Sequence, residues 1–299
     1  ALLSLFSFLF RKPIRKSDEH MPTVGFVIPA YNEERIIHKK LINVLAINYP
    51  AAKLTVWVGS DCSTDRTEEI VRSYNDSRVK LWVAPSRGGK TEILNNLVPQ
   101  IDTDIIFLTD ANTMHHPDCL RMLVRNFSDP SVGGVAGYIG HRAPDEKRGF
   151  EETWYRWFET WQERMESSLH STISAFGGFY AVRKELFTAI PYNSYSNDDV
   201  LIPMNVIRKG KRIVFEPEAV STEELAENDT MEFKRRVRIG AGNFQAFFWL
   251  LDFLNPLKGW TCFCYVSHKA SRWFSPIFIL VAYISLCLFW FFSYLLLYK

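Results

Sequence analysis

Six short stretches carry side chains able to do chemistry, and they follow one another along the chain. They are Pro29-Ala30-Tyr31-Asn32-Glu33-Glu34, Asp61-Cys62-Ser63-Thr64-Asp65, Arg87-Gly88-Gly89-Lys90, Thr109-Asp110-Ala111-Asn112, Asn197-Asp198-Asp199 and Arg235-Arg236-Val237-Arg238. A carboxylate at Asp61 can accept the N3–H of a uracil or thymine ring, whereas cytosine presents an acceptor there. An Asp in such a place also serves as an ordinary turn residue, and Asp65 as a helix cap. Gly88-Gly89 lets backbone approach a ligand at a helix start, and Lys90 adds charge toward a phosphate or is simply solvated. Asp110 and Asn112, two apart, can turn two oxygens toward Mg²⁺ or Mn²⁺, or form an Asx turn. Asp198-Asp199 offers a general base, or only favourable charge at a helix N-terminus. Arg235, Arg236 and Arg238 can clamp a diphosphate or meet anionic headgroups.

Those residues need a scaffold that brings strand ends together. Apolar runs at Thr23–Ile28, Leu54–Val58, Val79–Val83, Asp104–Leu108 and Val132–Tyr138 predict strands. Helical patterns at 33–44, 65–74, 90–98 and 117–127 fall between them. This alternation predicts an α/β fold with a mostly parallel sheet flanked by helices. Carboxylates at the carboxyl ends of such strands line a ligand crevice. Further on, 150–169 predicts an aromatic, charged helix with Trp154, Trp157, Phe158 and Trp161. Phe176-Gly177-Gly178-Phe179 predicts a loop, 199–208 a helix closed at Gly210, and 212–216 a short strand.

Composition narrows the class. The net charge of +2 implies no general nucleic-acid affinity, and five scattered cysteines give neither a metal spacing nor a disulfide framework. The stretch from Ser275 to Tyr298 is uncharged and long enough to span a hydrocarbon core of about 30 Å, with Trp273 and Tyr298 as interfacial aromatics. Ala1–Phe10 is apolar but too short to span, and reads as the end of a cut hydrophobic segment. Arg11, Lys12, Arg15 and Lys16, with Lys269 and Arg272, predict the cytoplasmic side. The aromatic stretch 244–257 predicts an interfacial helix. The divisions expected are therefore 1–20, a hydrophobic end and basic linker; 21–242, a cytosolic catalytic domain; 243–272, an interfacial amphipathic region; and 273–299, a transmembrane helix at the inner or plasma membrane.

The ordered motifs resemble family-two inverting glycosyltransferases of GT-A fold, the group that includes cellulose, chitin and hyaluronan synthases. The resemblance covers about residues 23–242 and implies a nucleotide-sugar donor, a saccharide or lipid-linked acceptor and a divalent cation. It implies donor contacts from Pro29, Tyr31, Glu33, Asp61, Lys90, Asn95, Asp110, Arg235 and Arg238. The metal falls to Asp110 and Asn112, the acceptor to Gly177, Gly178 and Phe179, and the base to Asp199 beside Asp198. Two departures stand out. Asn112 replaces the second Asp of the metal motif. Arg235-Arg236-Val237-Arg238-Ile239 lacks the Gln and Trp of the Gln-x-x-Arg-Trp motif carried by processive synthases. The expectation is a membrane-anchored transferase adding one or a few sugars, probing membrane lipids but not nucleic acid. The alternatives are a polysaccharide synthase, a catalytically silent envelope-assembly partner and a nucleotidyltransferase.

Overall fold

The computed structural model describes residues 2–142, 146–175, 177–195, 197–224 and 229–297. The expectations for Ala1, Phe176 and Tyr298, and for the side chain of Trp154, lie outside the described residues. Eight strands form one sheet: β1 (Val24–Ala30), β2 (Leu54–Ser60), β3 (Val79–Val83), β4 (Ile105–Leu108), β5 (Thr113–His115), β6 (Val132–Arg142), β7 (Tyr180–Arg183) and β8 (Arg212–Glu224). Their order is β3-β2-β1-β4-β7-β6-β8-β5. The chain winds outward from β1 to β3, then returns to place β4 on the other side of β1. That reversal is the switch point where open α/β sheets bind ligands, beyond the carboxyl ends of the strands.

The sheet is mixed rather than mostly parallel. β7 runs antiparallel to both β4 and β6, and β5 antiparallel to β8. Gly177-Gly178 turns the chain into β7 beside β4, so this loop faces the end of β4 where Asp110 sits. All four residues of β4 are buried, the pattern of a central strand covered on both faces. The helices include α1 (Leu2–Leu9), α2 (Ile37–Leu45), α3 (Thr67–Arg72), α4 (Gly89–Leu97), α5 (Cys119–Val124), α6 (Glu146–Leu169), α7 (Asp198–Arg208) and α8 (Asp229–Trp249). Helix α2 starts later than its apolar pattern predicts. Asn32 takes a left-handed φ of 56°, and the Glu33 and Glu34 amides are captured by Thr67 and Asp65.

The segment 244–257 is not one helix. It contains the end of α8 and two 3-10 turns, Leu251–Leu254 and Pro256–Lys258. Its lone acid, Asp252, pairs with Arg208 at 2.6 Å and with Lys258 at 3.1 Å, which ties the stretch to α7. Ala246, Leu250 and Phe253 are buried, while Phe248 and Leu257 are exposed. The chain continues through α9 (Trp260–Cys264), a π-helical turn (Tyr265–Ala270) and α10 (Ser271–Trp273) into α11 (Ser275–Leu297). Helix α11 has a mean hydropathy of 2.2 over Ser275–Tyr294, is long and apolar enough to cross a membrane, and is not buried along that length. At the other end α1 lies beside α6, with Ser7 bonded to Met165 and Phe6 against Trp260. The basic linker is partly spent within the fold, because Lys16 pairs with the buried Glu216 at 2.7 Å.

The sheet's fit against the site-bearing strand is tight at Gly137. A Cβ there would stand 2.0 Å from the ring of Phe179, which is fully buried against Phe107 and His115. Gly137→Ala should therefore cost about 1–3 kcal/mol by overpacking. Thermal unfolding should register the loss, and an unchanged midpoint would show that β6 and β7 can shift to make room.

Candidate active site

A cavity of about 1060 Å³ opens at the switch point. It takes Pro29 and Tyr31 from the end of β1, Asp61 from the end of β2, and Asp110 and Asn112 from the end of β4. Glu33, Gly88, Gly89, Lys90, Gly177, Gly178, Asp198, Asp199, Arg235 and Arg238 also line it. Two of the residues expected there do not reach it. Asn95 is buried in α4 with its amide committed to Ile190, donating to its carbonyl at 2.7 Å and accepting from its N–H at 2.8 Å. Phe179 points into the core under β6. Both hold the walls rather than a ligand.

Asp61 is nearly buried, and its two oxygens accept the backbone N–H groups of Gly88 and Gly89 at 2.8 and 3.0 Å. It therefore fixes the glycine turn at the start of α4. Gly89, at φ 77°, takes a backbone conformation that suits glycine. The same turn lays the Arg87 guanidinium over the Tyr31 ring, 3.7 Å from its centroid.

At the centre, the Lys90 ammonium donates to Asp110 at 2.9 Å and to the Gly177 carbonyl at 3.1 Å, and pairs with Asp198 at 3.0 Å. Burial alone would lower its pKa. The Asp110 and Asp198 carboxylates outweigh that and hold it protonated well above its ordinary range. Asp198 also accepts from the buried Tyr180 hydroxyl at 3.2 Å. Its neighbour Asp199 is placed by Asn197, which caps α7 in a left-handed conformation (φ 80°) and donates to Asn243 of α8 at 2.7 Å. Among the described residues the Asp199 carboxylate makes no hydrogen bond, and Gly177 leaves room beside it, since a Cβ there would stand 3.4 Å from its oxygen. Burial, then the charge of Asp198, push the Asp199 pKa up to about 6. One carboxylate of the pair is held by its neighbours; the other is available to take a proton.

The oxygens near Asp110 suit a divalent cation. The Asn112 amide nitrogen donates to Glu223 at 2.9 Å, which fixes the orientation of its side chain at the cavity wall. Gly178 leaves space in front of Asp110, where a Cβ would come within 3.2 Å of its carboxylate. Among the described residues no three His, Cys, Asp or Glu side chains converge on one point, so further ligands would have to come from a bound diphosphate.

Beneath this loop lies a support that the motif reading missed. Lys40 is fully buried and donates to Thr109 at 2.8 Å and to the Thr113 carbonyl, the residues flanking Asp110-Ala111-Asn112, and stands 3.0 Å from His115 Nε2. His115 in turn meets Ser221 of β8 at 2.7 Å. Burial lowers the Lys40 pKa to about 7, against the opposing attraction of Asp110. The signal was present in the sequence: Lys40 falls on the apolar stripe Ile37, Leu41, Val44 of α2, where a lysine demands partners. A second missed group, Glu159, Glu163, Lys269, Arg272 and Trp273, lines the far end of the cavity. The two basic residues had registered only as charges flanking a span.

A curled mixed sheet with a carboxylate-lined crevice at its switch point defines the GT-A class of fold. Residues 22–242 match the family described as glycosyltransferase like family 2, and the chain belongs to that family. It is 25% identical over 264 residues to the poly-beta-1,6-N-acetyl-D-glucosamine synthase of Staphylococcus aureus, covering 84% of this chain. The chain spans 63% of that relative's length. It is 33% identical over 118 residues to the beta-monoglucosyldiacylglycerol synthase of Synechocystis, covering 38% of this chain and 25% of that one. Among solved structures, the mannosyltransferase PcManGT of Pyrobaculum calidifontis, in complex with GDP-Man and Mn²⁺, superposes with a TM-score of 0.71 at 22% identity, over 96% of this chain and 87% of the other. TarS 1-349 of S. aureus, in complex with UDP-GlcNAc, gives 0.60 at 17% identity, over 85% and 75%.

Three outcomes follow from the geometry. If Asp199 takes the proton, kcat/KM should rise with pH through about 6 and level above it, because the base works only when deprotonated. Asp199→Asn should lower kcat by about 10²–10⁴-fold with little change in donor KM; an unaltered rate would remove Asp199 from the mechanism. Lys40→Met should destabilise the fold by about 3 kcal/mol in denaturant titration, because it strands buried acceptors. A loss below about 1 kcal/mol would mean that the loop's hydrogen bonds are re-made elsewhere.

Proposed function

We propose that the chain transfers a sugar, with inversion, from a nucleoside diphosphate sugar to a hydroxyl of a saccharide or lipid-linked acceptor at a membrane surface. The observation that carries this is the Lys90 ammonium joining Asp110, on the donor side, to Asp198, beside Asp199, whose carboxylate makes no hydrogen bond among the described residues. The acceptor oxygen attacks the anomeric carbon from the Asp199 side as its proton passes to that carboxylate. The bond from the anomeric carbon to the diphosphate oxygen breaks on the opposite side. One base and one displacement give inversion. Lys90, Arg235 and Arg238 line the cavity where they can meet the charge building on the departing diphosphate. A divalent cation held by Asp110 and Asn112 would neutralise part of that same charge.

Uridine is favoured as the base, with Asp61 as the acceptor for its N3–H. The TarS likeness agrees with a uridine donor, while PcManGT was solved with a guanosine one. Helix α11 and the exposed apolar residues Phe248, Leu257 and Phe263 nearby support a membrane seat, with the catalytic domain on the cytoplasmic face. The absence of Gln-x-x-Arg-Trp favours addition of one or a few sugars. The S. aureus relative favours polymer synthesis as the second reading.

The test is transfer of radiolabel from UDP-glucose, UDP-N-acetylglucosamine and GDP-mannose by the protein in native membranes. Label in the lipid-extractable fraction is expected from one uridine donor. Label confined to water-soluble product would count against a lipid-linked acceptor, and long polymer would favour the synthase reading.

A further inference from the structure

The cavity does not end at Asp199. It continues to α6, α10 and the first turn of α11, where Glu159, Glu163, Lys269, Arg272, Trp273 and Pro276 line it. At about 1060 Å³ it slightly exceeds the ~300–1,000 Å³ usual for a single small ligand, which leaves room for a second one.

The polar groups at this far end are incomplete. Glu163 is only 3% exposed, and its Oε2 has no hydrogen-bond partner. Lys269, one turn before the span, makes no hydrogen bond and no ion pair within 4.0 Å among the described residues. Their neighbours are better placed: Arg272 reaches Glu159 at 2.9 Å, and His268 meets Glu166 at 2.8 Å. Buried polar groups are almost always paired, so the Glu163 carboxyl left unbonded, with the half-buried Lys269 ammonium lining the same cavity, calls for a partner from outside the chain. Burial, then the charge of Glu159, raise the Glu163 pKa well above the usual carboxyl range, against the opposing charge of Lys269, and so favour the protonated form, which can both donate and accept. Lys269 only donates. A phosphate would satisfy the lysine but set an anion beside Glu159 and Asp199. Vicinal hydroxyls suit both groups at once, because each offers a donor and an acceptor.

We infer that this compartment is a saccharide subsite, in which Glu163 and Lys269 grip hydroxyls of the acceptor's sugar ring beside Trp273 and so present the attacking hydroxyl to Asp199. The inference rests on the transferase reading and adds the class and direction of approach of the acceptor. Glu159 and Glu163 lie one turn apart on α6, and Lys269 and Arg272 one turn apart on the facing segment, so the grip comes from two rigid helical walls. Glu163 and Lys269 are positioning residues: they bind the ring, while Asp199 meets the reacting atom. The rim at Pro276 is the start of α11, which places the opening where a membrane-borne sugar would arrive.

The test is saturation-transfer NMR of methyl β-D-glucoside on the full chain in phosphatidylcholine nanodiscs, with UDP and Mn²⁺ present and UDP affinity measured alongside. Ring-proton signals are expected with the unaltered protein. They should weaken about tenfold in affinity with Glu163→Leu or Lys269→Met and survive Glu163→Gln, while UDP affinity stays the same. Equal signals from Glu163→Leu, Lys269→Met and the unaltered protein would overturn the subsite. So would nucleotide binding without any sugar signal, and that result would leave the transferase reading standing. No nucleotide binding at all would overturn both. If Glu163→Leu also loses UDP affinity, Lys269→Met decides by the same criterion. Glucosyl-diacylglycerol in the bilayer should compete the signal away if the acceptor is lipid-borne. Failure to compete, with the signal intact, assigns the same subsite to free saccharides.

Discussion

The site is organised around one ammonium group shared by two carboxylates. Lys90 reaches from the first turn of α4 to Asp110 at the end of β4 and to Asp198 at the start of α7, elements far apart in sequence. Three charges that would each be costly to bury alone offset one another there. The sharing also sorts the adjacent acids. Asp198 is occupied by Lys90 and Tyr180, while Asp199 carries no hydrogen bond among the described residues and sits where burial and its charged neighbour raise its pKa. Two acids of the same type, next to each other in sequence, acquire different properties from their surroundings alone.

Around that centre, each strand end is fixed by a polar group turned inward. Asp61 spends its oxygens on the Gly88 and Gly89 amides, so the carboxylate expected to read a base also shapes the turn that positions Lys90. Lys40 holds both flanks of the Asp110 loop from below, and through His115 it reaches β8. The Asn112 amide is held by Glu223 from the same strand. An acid contributed from elsewhere in the sheet thus stands one hydrogen bond behind Asn112.

The motifs and their order were legible in the sequence because all but the arginine cluster, which lies within α8, fall at a strand end or helix start marked by Gly, Asp or Asn. The parallel strands β1 to β4 were legible too, as short apolar runs. The antiparallel insertion of β7 was not, because Tyr180–Arg183 is short and its direction is set by the partners it finds between β4 and β6. The aromatic stretch near residue 250 read as one interfacial helix because it is rich in Phe, Trp and Leu around a single acid. The pairing of Asp252 with Arg208, which breaks it into turns, depends on a contact with α7 that no local pattern carries. Asn95 and Phe179 match the motifs by type yet point inward, since motif spacing does not specify which way a side chain faces. The Glu163–Lys269 compartment was invisible for a related reason: two segments over a hundred residues apart supply its walls.

Helix α11 leaves the domain at the rim of the cavity, so an anchor there would set the height of the acceptor opening above the bilayer. All of this rests on the crevice holding a nucleoside diphosphate with a metal at Asp110. Isothermal titration of UDP and GDP, with and without Mn²⁺, into the intact protein and Asp110→Ala tests that most directly. The account predicts Mn²⁺-dependent binding of UDP that falls at least about tenfold in the variant. Metal-independent binding of equal strength in both proteins, or no binding of either nucleotide by folded protein, would contradict it.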